Sequence, residues 1–168
     1  QGLIFNQGVN LSAFFAGGDL AVNNLRIIRC QFNQQVSFQT GTSNLLFEGC
    51  IFLTNVNFTS NASNGVANVL FQNNLIFANQ CCTSVTIGGL NTNISNVLFD
   101  HNLFYSDGKV PAFGICQFLT VSKNMFVKRN PASGLSNSTF TNNITFLCGS
   151  FGDTAWIRNG NTGTGNIA

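Results

Sequence analysis

Short stretches in which apolar and polar residues alternate recur along the chain at intervals of about 20 residues. The clearest is residues 68–77, which run Asn-Val-Leu-Phe-Gln-Asn-Asn-Leu-Ile-Phe. Counted from the last Asn of this unit, or from the Cys that replaces it in the first two copies, successive copies are 20, 24, 28, 22 and 19 residues apart. A period in the twenties with insertions of variable length is typical of a solenoid, whose repeats stack on their neighbours. The copies are residues 25–32, 44–52, 68–77, 96–104, 119–126 and 138–145, with a partial copy at 3–5.

The spacing within each copy predicts β-strands. Apolar residues alternate with polar ones over three to five positions, which places them on one face of a strand rather than of a helix. A second alternating group follows at residues 36–38, 56–58 and 85–87. Each repeat therefore carries about three short strands joined by bends, and such coils stacked on one another form a parallel β-helix. We predict one all-β domain over residues 1–157, with about six to seven coils.

Asn suits the first bend of each coil for a physical reason. It tolerates the left-handed conformation better than other non-glycine residues, and its side-chain amide can bond to the next Asn in the stack. Asn102 should therefore be buried and hydrogen-bonded to its neighbours on both sides. The predicted ladder consists of Asn74, Asn102, Asn124 and Asn143. The phenylalanines predicted to stack inside the coils are Phe71, Phe99 and Phe140.

These repeats resemble those of the right-handed parallel β-helix proteins, the pectin-lyase-like superfamily, whose Asn ladder lies at such a bend. The spacing Phe-x-x-Asn, at residues 71–74, 99–102 and 140–143, also resembles the repeat of polymorphic outer-membrane adhesins. The resemblance covers about residues 3–150 and implies a single-stranded, right-handed β-helix. It implies no particular activity, because this fold occurs in lyases, hydrolases, adhesins and fibres.

Composition excludes several classes of partner. Charged residues make up only 7% of the chain, and the net charge is +2. The basic residues are scattered, so we expect no nucleic-acid partner. No apolar run approaches the roughly 20 residues of a membrane span. Residues 158–168 are rich in Gly, Asn and Thr and have almost nothing to bury, so they are predicted to be a flexible tail or linker.

Cysteines and glycosylation sequons predict an extracellular, secreted protein. The chain has six Cys and six Asn-x-Ser/Thr sequons, a combination typical of the secretory route. One sequon starts at Asn143, but this residue belongs to the ladder and is predicted to be bare. The sequons predicted to carry covalent N-glycans start at Asn10, Asn57, Asn61, Asn93 and Asn137.

Two disulfides are predicted from the stacking of coils. Cys30 and Cys50 occupy the same position in successive coils, where stacked Cα atoms lie about 4.8 Å apart. That separation is inside the Cα range of a disulfide, and the alternative is two buried thiols that stand in for Asn. A second bridge is predicted between Cys82 and Cys116 in the next coil, with Cys81 as the other possible partner.

Catalytic chemistry has little support in the sequence. The chain has only five carboxylates, and it lacks the Gly-His-Gly and Arg-x-Lys motifs of polygalacturonase-type β-helices. No acidic cluster or metal-ligand spacing is present, so we predict neither a metal nor another cofactor. If the chain is an enzyme, its candidate catalytic residues are Asp100, His101 and Lys123, which aligned coils place side by side on an outward face. Glu48 lies two coils from Asp100, about 10 Å away, at or beyond the widest spacing of an inverting glycosidase pair.

A regular solenoid with few charges and no catalytic motif is expected to be structural. We predict a non-enzymatic β-helix module that associates head to tail through its open end strands, forming an extracellular filament or surface layer. One alternative is a carbohydrate-active β-helix enzyme, either a polysaccharide lyase or a glycoside hydrolase. Another is a glycan-binding segment of an adhesin.

Overall fold

The computed structural model describes residues 2–7, 9–10, 23–39, 42–59, 65–77, 85–87, 93–106, 112–131, 134–148 and 159–168. Within them the chain forms a succession of strands of two to seven residues. In chain order these are β1 Ile4–Phe5, β2 Val9–Asn10, β3 Asn23–Ile28, β4 Gln31–Phe32, β5 Val36–Gln39, β6 Ser43–Glu48, β7 Ile51–Phe52, β8 Val56–Thr59, β9 Val66–Gln72, β10 Leu75–Phe77, β11 Val85–Ile87, β12 Ile94–Asp100, β13 Leu103–Tyr105, β14 Cys116–Gln117, β15 Leu119–Ser122, β16 Met125–Val127, β17 Leu135–Ser136, β18 Thr139–Thr141, β19 Ile144–Phe146 and β20 Thr162–Thr164.

The strands form the walls of a parallel β-solenoid. Sheet A has the order β1-β4-β7-β10-β13-β16-β19, sheet B the order β11-β8-β5-β2, and sheet C the order β20-β18-β15-β12-β9-β6-β3, while β14 and β17 form a small further pair. Neighbouring strands are parallel in all of these sheets. The predicted all-β solenoid is confirmed, with about five turns instead of six to seven. Sheets A and C have seven described strands each, but sheet B has four, so fewer than seven turns have described strands in all three sheets.

Left-handed residues turn the chain at both ends of each sheet C segment. Around each of the seven described strands of sheet C, one residue near the start and one at the end have φ between 48° and 75°. This region favours Gly and, to a lesser extent, Asn. The entry column, at the start, consists of Asn24, Asn44, Asn68, Asn96, Phe118, Asn137 and Gly160. The exit column, at the end, consists of Arg29, Gly49, Asn73, His101, Lys123, Asn142 and Gly165.

Phenylalanine rings fill the interior in stacks along the solenoid axis. Phe47, Phe71 and Phe99 follow one another with ring centroids 4.6 Å apart, and all three are fully buried. The predicted stacking of Phe71 on Phe99 is therefore confirmed. Phe140 lies in the same column, but Val121 stands between it and Phe99. A second stack inside sheet A consists of Phe5, Phe32 and Phe52.

The segment predicted to be a flexible tail instead continues the solenoid. Strand β20 pairs with β18 in register, and Ile167 forms a bridge to Ile144 in sheet A. The prediction rested on the lack of apolar residues to bury. The segment is held by backbone pairing and by the amides of Asn161 and Asn166, which accept hydrogen bonds from the preceding coil. The predicted boundary after residue 157 therefore does not separate the described residues 159–168 from the solenoid.

Candidate functional site

The predicted Asn ladder runs through the interior one residue after the exit column. Asn102 is 2% exposed. Its Nδ2 donates to the Phe71 carbonyl at 2.9 Å and to Asn124 Oδ1 at 3.0 Å. Its Oδ1 accepts hydrogen bonds from the backbone N–H and the Nδ2 of Asn74, at 3.0 and 2.9 Å. The predicted burial of Asn102 and its bonds to both neighbours are confirmed. The buried members of the ladder are Asn74, Asn102, Asn124 and Asn143, and Asn166 adds a further, half-buried step.

The predicted disulfide between Cys30 and Cys50 is wrong, because both are buried free thiols. The prediction considered only the Cα separation. Stacked coils also hold the two Cα–Cβ bonds parallel, so the Cβ atoms stay about 4.8 Å apart, beyond the roughly 3.5–4.5 Å that a disulfide needs. The alternative, thiols in place of Asn, is what the structure shows.

Each thiol takes over part of the ladder's hydrogen bonding. Cys50 Sγ donates to the Ile27 carbonyl at 3.4 Å, as Asn74 Nδ2 donates to the Phe47 carbonyl one coil later. Burial raises the pKa of the Cys50 thiol. Hydrogen bonds with backbone groups, of which the one with Cys30 is the largest, lower the pKa but offset only part of the effect of burial. Cys50 is therefore a protonated, hydrogen-bonded substitute for Asn.

The other cysteines lie apart from the ladder. Cys116 is buried at the first residue of β14. Its predicted partner Cys82, and the alternative Cys81, fall outside the described residues, so that bridge stays a prediction. Cys148 Sγ donates to the Phe126 carbonyl at 3.2 Å, and burial raises its pKa.

The entry column contains a second Asn ladder that the sequence analysis missed. The Nδ2 of Asn44, of Asn68 and of Asn96 donates to the Oδ1 of the Asn one coil earlier, at 3.2, 3.0 and 3.0 Å respectively. These side chains are exposed. The signal for this ladder was present, because an Asn recurs six residues before each inner ladder position in these coils.

The candidate catalytic residues lie where sheet C ends. Asp100 is the last residue of β12, and its partner in β15 is Ser122. Asp100 Oδ2 lies 2.7 Å from His101 Nδ1, and its Oδ1 accepts a hydrogen bond from Ser122 Oγ at 2.5 Å. Lys123 follows Ser122 in the exit column, one coil beyond His101. The structure thus brings Asp100 and His101 into contact and places Lys123 on the adjacent coil.

This arrangement favours an ionised Asp100. Desolvation raises its pKa, but the hydrogen bonds from Ser122 and His101 and the charges of His101 and Lys123 outweigh it and lower the pKa. A general acid needs a raised pKa, so this carboxyl is unsuited to proton donation. Glu48, the other described carboxylate, lies two coils away with Gln72 between them. Within the described ranges, no three His, Cys, Asp or Glu side chains lie close enough together to hold a metal ion.

The sequons differ in how available their amides are. Asn143 is fully buried and donates both Nδ2 hydrogens within the solenoid, which agrees with its predicted burial. Asn57 is half-buried in the middle of β8, between the paired strands β5 and β11. Asn93 and Asn137 are exposed. The side chains of the remaining two, Asn10 and Asn61, lie outside the described part.

The outward face of sheet A is apolar over most of its length. Leu103, Met125 and Ile144 stand side by side on it and are 37%, 44% and 40% exposed. Beside them Phe77 and Tyr105 stack with ring centroids 5.4 Å apart. Contiguous apolar surface is common at sites of protein–protein contact. The further members of this sheet A outer face are Ile4, Ile51, Leu75, Val127 and Phe146.

Two further features carry polar groups. Arg129 is fully buried just after sheet A, where burial lowers its pKa to about 10, so it stays charged at neutral pH. Nothing in the apolar pattern marked this residue as interior. On the outside of sheet C, a surface groove of about 410 Å³ is lined by Asn68, Leu70, Asn96, Leu98 and Thr120, together with Val69 and Val97.

Comparison with known proteins leaves the family open. No family model matches the chain, and neither a curated protein nor a solved structure matches it significantly. The described residues contain no helix with the length and apolar character needed to cross a membrane. The chain is a parallel β-solenoid, and its likeness to pectin-lyase-like proteins and to outer-membrane adhesins stays a resemblance.

Proposed function

We propose that this chain is a secreted, N-glycosylated structural β-solenoid, not an enzyme, and that copies stack end to end into an extracellular filament or surface layer. The observation that carries the proposal is the pairing of the outermost strands. Among the described residues, β1 in sheet A and β20 in sheet C each pair on one side only. Unpaired strand edges template pairing with another chain.

The backbone groups at these two edges suit one another. On β20, the N–H of Thr162 and the C=O of Thr164 bond to the preceding coil, so Gly163 between them turns its N–H and C=O towards the free edge.

In sheet A, β1 lies one coil outside β3, and Ile167 extends the sheet to the coil of β20. The C=O groups of Leu3 and Phe5 bond to the following coil, so Ile4 between them turns its N–H towards the free edge of β1. A second copy would therefore add its β1 beside Ile167 in the register of sheet A, with its first coil against the Gly163 edge. Such a contact is heterologous and extends without closing.

The interior near β20 favours association through the backbone. Asn161 and Gly163 take positions that Leu119 and Phe140 occupy in earlier coils, and Thr145 follows Phe126 in sheet A. A copy stacked there meets small and polar side chains. Strand pairing, rather than burial of aromatic rings, would therefore supply most of the axial contact.

The sheet A outer face supports contact between copies lying side by side. Its outward residues form an apolar strip along the solenoid, and the ends of this strip are the most exposed, with Ile4 at 62% and Phe146 at 59%. A surface layer needs lateral as well as axial contacts. Two such strips in contact would remove apolar surface from water, which stabilises association.

A non-enzymatic role is supported by how the described polar side chains are used. The ladder and entry-column amides bond along the axis to copies of themselves, and Asp100 is held by its neighbours as an anion. A lyase or hydrolase is the alternative, with Asp100, His101 and Lys123 as its residues. A glycan-binding adhesin is the other alternative, and the groove on sheet C, where Asn68, Asn96 and Thr120 stand among aliphatic residues, favours it.

Electron microscopy and sedimentation of the full chain test the assembly. We expect filaments whose axial repeat is a multiple of about 4.8 Å per coil. Ile4→Pro removes the outward N–H of β1 and should leave monomers, whereas Ile4→Ala keeps that N–H and should still assemble. Met125→Glu on the sheet A outer face should abolish lateral bundling and leave single filaments. A wild-type chain that stays monomeric at high concentration would contradict the proposal.

Two further measurements test the other parts. In a turnover screen on acidic polysaccharides, cleavage that Asp100→Ala or Lys123→Ala abolishes would overturn the non-enzymatic role. Glycopeptide mass spectrometry of the secreted chain should find glycans at exposed sequons and none at Asn143. Glycan at Asn143 would contradict the buried position of its amide.

A further inference from the structure

Phe118 stands in the entry column where neither its backbone nor its packing favours phenylalanine. Its φ is 59°, in the left-handed region where a bulky residue is an outlier. Its side chain is 50% exposed, so its ring gains little from burial. It replaces the Asn that continues the column on either side, at Asn96 and Asn137. A strained residue that does not serve the fold is a candidate for function.

Because Phe118 stands in place of Asn, the side-chain amide of Asn137 lacks the acceptor that the other amides of the column have on the preceding coil. In the uninterrupted part of the column, each Nδ2 points to the preceding coil and donates to the Oδ1 there, as Asn96 does to Asn68. Asn137 is oriented the same way, because a Cβ added at Gly160 in the following coil would collide with Asn137 Oδ1. The Nδ2 of Asn137 therefore faces Phe118, whose ring offers no amide oxygen. The Cα atoms of the two residues are about 4.8 Å apart.

Asn137 is also the first residue of a sequon, and its situation differs from that of the other described sequons. Asn143 donates both Nδ2 hydrogens to the solenoid, and Asn57 is half-buried between paired strands. Asn93 is exposed but has no aromatic neighbour in the adjacent strand β9, where Val66 pairs with Ile94. Asn137 is exposed, its Nδ2 donates no hydrogen bond to another described residue, and an exposed aromatic ring stands on the adjacent coil.

We infer that Asn137 carries an N-linked glycan whose first N-acetylglucosamine packs its apolar ring face on Phe118. This rests on the proposed secretion and glycosylation of the chain. In the transfer step, the Nδ2–C1 bond forms as C1 leaves a lipid-linked diphosphate, and the proton lost from Nδ2 goes to solvent. One face of the sugar carries C–H groups, which suit the aromatic ring, while its hydroxyls stay in water. The glycan thereby covers the exposed ring that the strained turn presents.

Double substitution in the full chain, secreted from glycosylating eukaryotic cells, tests this pairing. Thr139→Ala removes the sequon, and Thr139→Ser preserves it as the matched control. Loss of the glycan should lower the melting temperature by about 2–4 °C when Phe118 is present and by less than about 1 °C in the Phe118→Ala background. Trimming the glycan to its first sugar with an endoglycosidase should leave the melting temperature unchanged. Phe118→Asn, which restores an amide acceptor and relieves the turn, should lower occupancy of Asn137.

The outcomes separate this inference from the broader proposal, with Asn93 as the internal reference. Glycan on Asn93 but none on Asn137 would overturn the inference and leave the proposed glycosylation standing. Glycan on Asn137 with the same melting shift in both Phe118 backgrounds would also overturn it. A chain bare at every sequon would overturn both. The inference stands if Asn137 is occupied and the shift depends on Phe118.

Discussion

The inner Asn ladder and the entry column use the same side chain with the same period, six residues apart, yet they tolerate different substitutions. Asn102 and its neighbours are buried, and each amide satisfies backbone groups as well as the next amide. The entry-column amides are exposed and, among the described residues, bond to one another. Water can replace the second kind of bond but not the first.

Substitutions along the two columns follow this difference. The inner ladder contains Cys30 and Cys50, whose thiols still donate a hydrogen bond to a backbone carbonyl. The entry column contains Phe118 and Gly160, whose side chains have no hydrogen-bonding group. Burial therefore decides which of two similar repeats is a structural requirement. The exposed repeat is the one with freedom to acquire another role.

The largest effect is expected at the centre of the inner ladder. Asn102→Leu keeps the approximate shape but leaves the Phe71 carbonyl and the Asn74 N–H buried without partners. Each unmet group costs about 1–3 kcal/mol, so the free energy of unfolding should fall by about 3 kcal/mol. Urea unfolding followed by circular dichroism measures this. A change of less than about 0.5 kcal/mol would remove the basis of the comparison.

Alkaline pH should weaken the Cys end of the ladder. The pKa of Cys50 is raised by burial above its ordinary value of 9.0. Because the folded-state pKa is the higher one, the unfolded chain ionises first, so the contribution of Cys50 is complete below pH 9 and is lost as pH rises through the folded pKa. The free energy of unfolding should fall by up to about 1.4 kcal/mol per pH unit from this thiol.

The Cys50→Asn variant is the control for this pH dependence. It should lose that part of the slope, while Cys30→Ser should keep it. An identical slope in wild type and Cys50→Asn would show that Cys50 does not titrate with a raised pKa, as would be the case in a disulfide.

A smaller effect is expected from changing the chemistry of Cys50 at neutral pH. Cys50→Val removes the donor to the Ile27 carbonyl and should lower the free energy of unfolding by about 1 kcal/mol. Cys50→Asn continues the ladder and should stay within about 0.5 kcal/mol of wild type. Thermal melts of the two variants side by side measure the difference. Equal losses would show that the position needs the size of Cys rather than a hydrogen-bond donor.

The parts of the fold that were predictable from sequence are those in which one residue type is required at one position. The ladder from Asn74 to Asn143 and the stack of Phe71 on Phe99 meet this condition, because a buried amide and a buried ring recur with the coil. The last coil does not. Its Asn161 and Gly163 contribute little apolar surface to the interior. Backbone pairing holds this coil, and such pairing does not depend on a pattern of apolar residues.

The candidate site was less predictable, for a related reason. Coil alignment placed Asp100, His101 and Lys123 together, but it gives no side-chain directions, so it did not predict the hydrogen bond from Ser122 that helps to keep Asp100 ionised. The apolar outer face of sheet A was not predicted, because Leu103 and Met125 stand at a position of the repeat that also takes the polar residue Gln31. Phe118 was missed because its distinguishing features are a backbone angle and an exposure, neither of which is a pattern of residue types.

The smallest effect is expected in the entry column, and it is the sharpest test of the contrast. Asn68 donates to Asn44 and accepts from Asn96, as many amide-to-amide bonds as Asn102 makes in the inner ladder. Asn68→Gly deletes both bonds but suits the φ of 54°, so the lost side chain and the relieved backbone should nearly cancel. We expect a change within about 0.5 kcal/mol, because both amides left behind are exposed to water.

The test needs both columns measured under the same conditions. Urea unfolding of Asn68→Gly beside Asn102→Leu should give a difference of more than about 2 kcal/mol, although each substitution removes two amide-to-amide bonds. A loss at Asn68 as large as that at Asn102 would mean that amide stacking itself stabilises the solenoid. In that case the gap at Phe118 would be a larger cost to the fold than its strained backbone alone, and a stronger reason to expect a compensating contact there.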